Sequence, residues 1–219
     1  IRTPMNGVVG MTGLLAATKK AFDEVPVRNP GTLAFVPLVD GELLLDYPVI
    51  QAGKGRTHPV PLIIGTNRNE ANLFRLMRSP LMPITPRAIT SMFNEIAAEQ
   101  PDLQLPSAEK LGSAYARKRG SAKNLSIASD VGFRMPSVWF AEGHNAVAPV
   151  FLYRFDWEST ARYGRLRTPH ALEIPFVFDQ TEHPSWRGLT RATPEAAALA
   201  ARVSATWAAF ARTGEPNGG

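Results

Sequence analysis

Two short apolar runs set the limits on what this chain can fold into: Val60-Pro61-Leu62-Ile63-Ile64-Gly65 and Val150-Phe151-Leu152-Tyr153-Arg154-Phe155-Asp156. The first is apolar without alternation, as suits a strand buried on both faces of a parallel sheet. Pro61 must then sit at its start, where a missing N–H is tolerated. The second joins aromatic and branched residues that favour pleated, buried backbone. Around these runs the period becomes helical. Thr85-Pro86 caps and opens a helix, with Ile89, Met92, Phe93 and Ile96 as its apolar stripe. Ser107 caps another, running to about Lys118 and stopped by Gly120. Residues 126–146 read as a helix kinked at Pro136. Thr193-Pro194-Glu195 opens the best-formed helix, with Leu199, Val203, Trp207 and Phe210 on one face and Gly214 past its end. Leu14 to Phe22 reads as a short helix, and Glu70 to Met77 as another, with Leu73, Phe74 and Met77 on one face. Residues 25–59, rich in Pro and Gly, predict a long surface connection with extended pieces at Leu33 to Val39 and Leu43 to Leu45. Strands alternating with helices predict an α/β sheet with helices on its faces.

Composition narrows the function classes. A chain of 219 residues, 44% apolar and 20% charged, suits one globular domain or a large piece of one. The absence of cysteine excludes disulfides and thiolate metal sites. No two histidines stand at ligand spacing, so a zinc site is not expected. The net charge of +5 is scattered. Its densest run, Arg117-Lys118-Arg119, reads as the solvated end of a helix, so a nucleic-acid partner is not expected. No run of about 18 apolar residues exists, and no membrane span is expected. No leader pattern stands at the N-terminus. Compartment stays open between cytoplasmic and secreted.

Two residues stand out by position. Glu70 follows the first apolar run by five residues and opens a helix; His170 lies in a loop after the second run. Functional groups of α/β sheets gather at the carboxyl ends of strands, so this carboxylate and this imidazole could be neighbours. Such a pair has a chemical use. A serine hydroxyl is a weak nucleophile until a histidine takes its proton, and a carboxylate behind the ring holds its tautomer and stabilises the imidazolium. The plainer readings are a glutamate serving its helix dipole and a solvated loop histidine. His58, His144 and His183 have less to recommend them.

Five segments, in order, resemble the type-B carboxylesterase and lipase family. Phe35-Val36-Pro37-Leu38-Val39-Asp40-Gly41 is similar to its F-x-P-V-x-D-G stretch. Pro61 to Phe74 (PLIIGTNRNEANLF) resembles its G-x-N-x-D-E-G-x-x-F segment. Phe151 to Asp156 resembles its penultimate strand. His170 to Phe178 (HALEIPFVF) resembles H-x-x-E-[LI]-P-[YF]-V-F, and Trp207 to Asn217 its W-x-x-F-A-x-T-G-x-P-N ending. The resemblance covers residues 14–219. It implies the C-terminal part of an α/β-hydrolase sheet with flanking helices, with Glu70 as catalytic acid and His170 as catalytic base. Asn69 stands where the family has Asp, Ala71 where it has Gly, and Pro169 where a small residue is commoner, which would stiffen the loop and shift the ring. Glu173 is expected to support the site without being catalytic.

No G-x-S-x-G occurs in the chain, and no Gly-Gly run offers an oxyanion hole. The resemblance thus implies a serine carboxylesterase piece, cut at both ends, that acts on a small ester, uses no cofactor and takes its nucleophilic serine from an N-terminal portion or chain. Alone it is expected to be inactive. The alternative is a non-catalytic interaction module of the same fold. Residues 1–13 stand apart as a junction-like segment: Ile1 to Thr12 resembles the H-box helix of sensor histidine kinases without its phosphoacceptor histidine, and no kinase function is expected of it.

Overall fold

A computed structural model describes residues 4–28, 36–37, 39–99, 101, 105–161 and 164–217, with the main chain alone for residues 4–14, 99 and 108. Ile1 to Thr3, Leu33 to Phe35 and Leu38, which enter the H-box and extended-piece expectations, lie outside the described residues. In chain order the helices are α1 (Pro4–Arg28), α2 (Pro48–Gly53), α3 (Ala71–Leu76), α4 (Pro86–Glu99), α5 (Ala108–Ala114), α6 (Gly120–Ser129), α7 (Met135–His144), α8 (Ile174–Val177), α9 (Arg187–Thr190) and α10 (Pro194–Thr213). The strands are β1 (Leu62–Asn67), before α3, and β2 (Val150–Phe155), after α7.

The two strands pair in parallel, in register from Leu62 opposite Val150 to Asn67 opposite Phe155. Their carboxyl ends therefore lie side by side. β1 begins after Pro61, which has no N–H to give; the Leu62 amide makes the first cross-strand bond, to the Pro149 carbonyl at 2.9 Å. The strand runs past Gly65 because Thr66 and Asn67 still find partners in Arg154 and Phe155. Gly65 is required for packing: a Cβ there would overlap the Tyr153 ring. Burial on both faces, as expected for β1, is not what the structure shows. Only Asn67 of that strand is buried, because the sheet has two strands among the described residues.

Alternation along β2 decides where the core lies. Phe151, Tyr153 and Phe155 point to one face and meet Phe210, Trp207 and Phe176, with ring centroids 6.0, 5.0 and 5.0 Å apart. Leu152, on the other face, is 53% exposed. The main cluster joins Phe155, Leu172, Phe176, Ala196 and Ala200, so α8 and α10 close one side of β2. Full burial of Leu172 and Phe176 stabilises the fold by about 1.5–3 kcal/mol each. α10 starts where Thr193 Oγ1 accepts from the Ala196 amide at 3.3 Å and stops at Gly214, whose φ of 75° is left-handed. A second cluster of Ala71, Leu125 and Ala128 fastens α3 to α6.

Other boundaries differ from the sequence reading. α1 runs unbroken from residue 4 to 28, longer than Leu14 to Phe22, and its Pro26 falls in the last turn. α2 interrupts the stretch read as surface connection and packs on α7 at Gly143, where a Cβ would overlap the main chain of Ala52. α5 ends at Ala114, short of Lys118, and Arg117, Lys118 and Arg119 are exposed beyond it. The kink expected at Pro136 takes the form of a π-helical turn, Asp130–Arg134, just ahead of it. A wider turn relieves the clash of the proline ring with the carbonyl four residues back.

Candidate active site

Parallel register brings the two sequence-singled residues to one edge. Beyond β1 the Arg68 amide still bonds to the Phe155 carbonyl at 3.0 Å, and the Asn69 amide reaches the Thr168 carbonyl at 2.9 Å. The chain after β1 and the loop after β2 are thus laced together before either functional side chain is reached. Glu70 then sits at the N-terminus of α3, 4% exposed, and His170 on the turn that leads into α8. His170 Nδ1 lies 2.8 Å from Glu70 Oε2. The other carboxylate oxygen, Oε1, accepts the Asn67 main-chain amide at 2.6 Å.

The imidazole is half-open. Its side chain is 43% exposed, and its Nε2 has no hydrogen-bond partner among the described residues. With Nδ1 turned to a carboxylate, the neutral ring carries its proton there and presents the Nε2 lone pair outward. The hydrogen bond that the ring donates to Glu70 raises the His170 pKa above the ordinary value; partial burial opposes it, and the charges of Glu70 and Glu173 add to the rise. Phe133 and Phe74 back the ring, with centroids 5.0 and 5.4 Å away. Phe133 comes from the π-turn, so that irregularity supplies one wall of the histidine's pocket.

The expected departures are accommodated. Ala71 is fully buried in a helical turn, and its amide donates to Ser129 Oγ at 3.0 Å. Asn69 joins the loops through its main chain. Pro169, expected to shift the ring, is fully buried and leaves His170 within hydrogen-bond distance of Glu70. Ala171, next to the histidine, takes a φ of 66°, a conformation that costs an alanine about 1–3 kcal/mol and marks a position held by its surroundings.

The remaining histidines do other work. His144 is 4% exposed and bonded at both ring nitrogens, Nδ1 to Thr57 Oγ1 at 2.6 Å and Nε2 to the Val60 carbonyl at 2.8 Å. His58 and His183 are exposed. Among the described residues no group of three or more His, Asp or Glu is placed to hold a metal ion, and no helix is long and apolar enough to cross a membrane.

A sequence profile described as the carboxylesterase family matches residues 11–219. The chain belongs to this family. It is 32% identical over 203 residues to para-nitrobenzyl esterase of Bacillus subtilis (strain 168), covering 90% of this chain and 39% of that protein. It is 30% identical over 195 residues to carboxylesterase 4A of Bos taurus, covering 84% of this chain and 34% of that one. Among solved structures, a para-nitrobenzyl (PNB) esterase superposes with a TM-score of 0.66 at 26% identity, over 89% of this chain and 38% of the other. A carboxylesterase of Geobacillus stearothermophilus gives 0.64 at 28% identity, over 88% and 39%. The strands and helices described above are thus part of an α/β-hydrolase fold, and this chain spans well under half the length of these relatives.

Within this member of the carboxylesterase family, residues that the sequence did not single out complete the setting. Asn67 Nδ2 donates to the Pro169 carbonyl at 2.8 Å and also to Glu173 Oε2. Tyr153 lies near both carboxylates; burial, then the charges of Glu173 and Glu70, push its pKa up to about 12. Ser129 holds the start of α3 while donating to the Leu125 carbonyl at 2.8 Å. Asn67 had one signal in the sequence, its place in the G-x-N-x-D-E stretch; Tyr153 and Ser129 act across sequence gaps that no local pattern reports.

Proposed function

We propose that this chain is the part of a serine carboxylesterase that supplies the acid, Glu70, and the base, His170, of a Ser–Glu–His triad whose nucleophile lies outside these 219 residues. The observation that carries the reading is the 2.8 Å contact of a buried carboxylate with Nδ1 of an imidazole whose Nε2 is left open. That is the arrangement a general base needs: one nitrogen oriented, the other facing the reactant. In this reading Nε2 takes the proton from the serine hydroxyl as the hydroxyl attacks the ester carbonyl. Glu70 stabilises the imidazolium so formed, and Nε2 returns the proton to the departing alcohol oxygen. Water then repeats the sequence on the acyl-enzyme.

The substrate class is a small carboxylic ester, alkyl or aryl, as the name para-nitrobenzyl esterase suggests for a relative. Residues 14–219 would be the C-terminal part of the hydrolase domain and residues 1–13 a junction-like segment. Alone the chain would stay near background, lacking nucleophile and oxyanion donors. Retention of both Glu70 and His170 favours this reading over a non-catalytic interaction module, which would need neither. The experiment is hydrolysis of p-nitrophenyl butyrate by the 219-residue chain, and by a chimera in which it replaces the matched stretch of the Bacillus subtilis esterase. The chain at background and an active chimera silenced by His170→Ala is the expected result. A chain that turns over by itself, or a chimera indifferent to His170, would overturn it.

A further inference from the structure

Two carboxylates act on His170, and the nearer one in sequence is not the one that bonds it. Glu173 lies three residues on, in the same turn, and its charge acts on the ring; Glu70 lies 100 residues away and makes the hydrogen bond. Asn67, the last residue of β1, stands between the two outcomes. It is 4% exposed. Its side-chain nitrogen meets two acceptors, the Pro169 carbonyl and Glu173 Oε2, and its main-chain amide meets Glu70 Oε1. Those acceptors fix the amide orientation, because a flipped amide would turn its oxygen against both. Its Oδ1 accordingly has no partner among the described residues.

We infer that Asn67 is a positioning residue that assigns Glu70, and not Glu173, to His170: it engages Glu173 and the residue before the histidine with its side chain while aiming Glu70 with its main chain. The inference rests on the triad reading for its meaning, but its geometry is testable without turnover. The His170 Nδ1 proton is followed by NMR in the full chain with ¹⁵N-labelled histidine. In the wild type it persists, hydrogen-bonded to Glu70, with the neutral ring in the Nδ1–H tautomer. N67D places a further carboxylate against Glu173 and removes both donors; the Nδ1 proton leaves Glu70, and its signal moves from the wild-type position or is lost. N67D/E173Q reverses donor and acceptor across the same contact; the signal returns. Glu173→Gln alone retains it, since the new side-chain carbonyl still accepts from Asn67. Should the added charge prevent folding of N67D, Asn67→Ala and N67A/E173A carry the same logic, a departure from the wild-type signal and then its return. A wild-type Nδ1 signal in the Asn67 single variants, or no return in the doubles, would overturn the assignment. A chimera indifferent to His170→Ala sinks the triad reading and leaves this hydrogen-bond assignment standing; the NMR result against Asn67 does the reverse.

Discussion

His144, at the C-terminal end of α7, is 4% exposed and has both ring nitrogens committed, to Thr57 Oγ1 and to the Val60 carbonyl. His170, on the turn after β2, has one nitrogen on a buried carboxylate and the other open, with 43% of its side chain in solvent. Both rings tie segments distant in sequence, 87 residues apart for Thr57 and His144 and 100 for Glu70 and His170. What separates them is the partner. A hydroxyl and a carbonyl satisfy a ring and leave it nothing to do. A carboxylate raises its proton affinity and leaves a lone pair free to act. Burial alone does not separate the two rings by chemistry: the more buried one has both nitrogens committed, and the more exposed one keeps a nitrogen open.

The widest separation between the two sites is expected in rate. In the active chimera, His170→Ala lowers p-nitrophenyl butyrate hydrolysis by roughly 10²–10⁴-fold, the usual contribution of a general acid–base group, whereas His144→Ala leaves the rate per folded molecule near wild type. Equal losses in an initial-rate assay would erase the contrast. Stability separates them next. His144→Ala strands the Thr57 hydroxyl and the Val60 carbonyl in a part-buried site and costs about 1–3 kcal/mol, read as a lower urea midpoint of the 219-residue chain.

The pH dependence sharpens the carboxylate's part. His170 binds its proton more tightly folded than unfolded, because Glu70 accepts from it. Its contribution to stability is therefore full below the ordinary histidine pKa of about 6.5 and is lost as pH rises through the higher folded value. On the triad reading the reaction needs the neutral ring, so the acid limb of the chimera's pH–rate profile should have its midpoint above about 6.5. Glu70→Gln moves that limb toward lower pH and flattens the stability trend; a limb that stays in place would separate the two residues. The smallest effect is expected at Thr57→Val, which removes one hydrogen bond to His144 and costs about 0.5–1.5 kcal/mol, measurable by the same urea titration.

Much of this fold is legible because its signals are short-range. Thr85, Ser107 and Thr193 cap helices through the amide three residues on, at 3.2, 3.2 and 3.3 Å, and each sits in the sequence directly before its helix. Gly214 ends α10 where the helical stripe stops. β2 matched its aromatic run to within one residue. The misreadings come from partners rather than patterns. α2 lies hidden in a Pro- and Gly-rich stretch because it is held by α7, and the π-turn replaces a proline kink because the helix widens before the ring arrives.

The sequence by itself determined the two strands, most of the longer helices and the two chemical groups, since periodicity, caps and side-chain type act within a few residues of each other. Tertiary structure alone decided which groups meet. Glu70 reaches His170 because β1 and β2 pair in parallel with their carboxyl ends level, so the segments after them share one edge. Asn67 could bond Pro169 and Glu173 only once those loops, 102 and 106 residues away, were laid against it. Glu70 and His170 sit within motifs that a sequence displays; Asn67 gains its side-chain contacts to Pro169 and Glu173 only when the strands have paired and the loops beyond them meet.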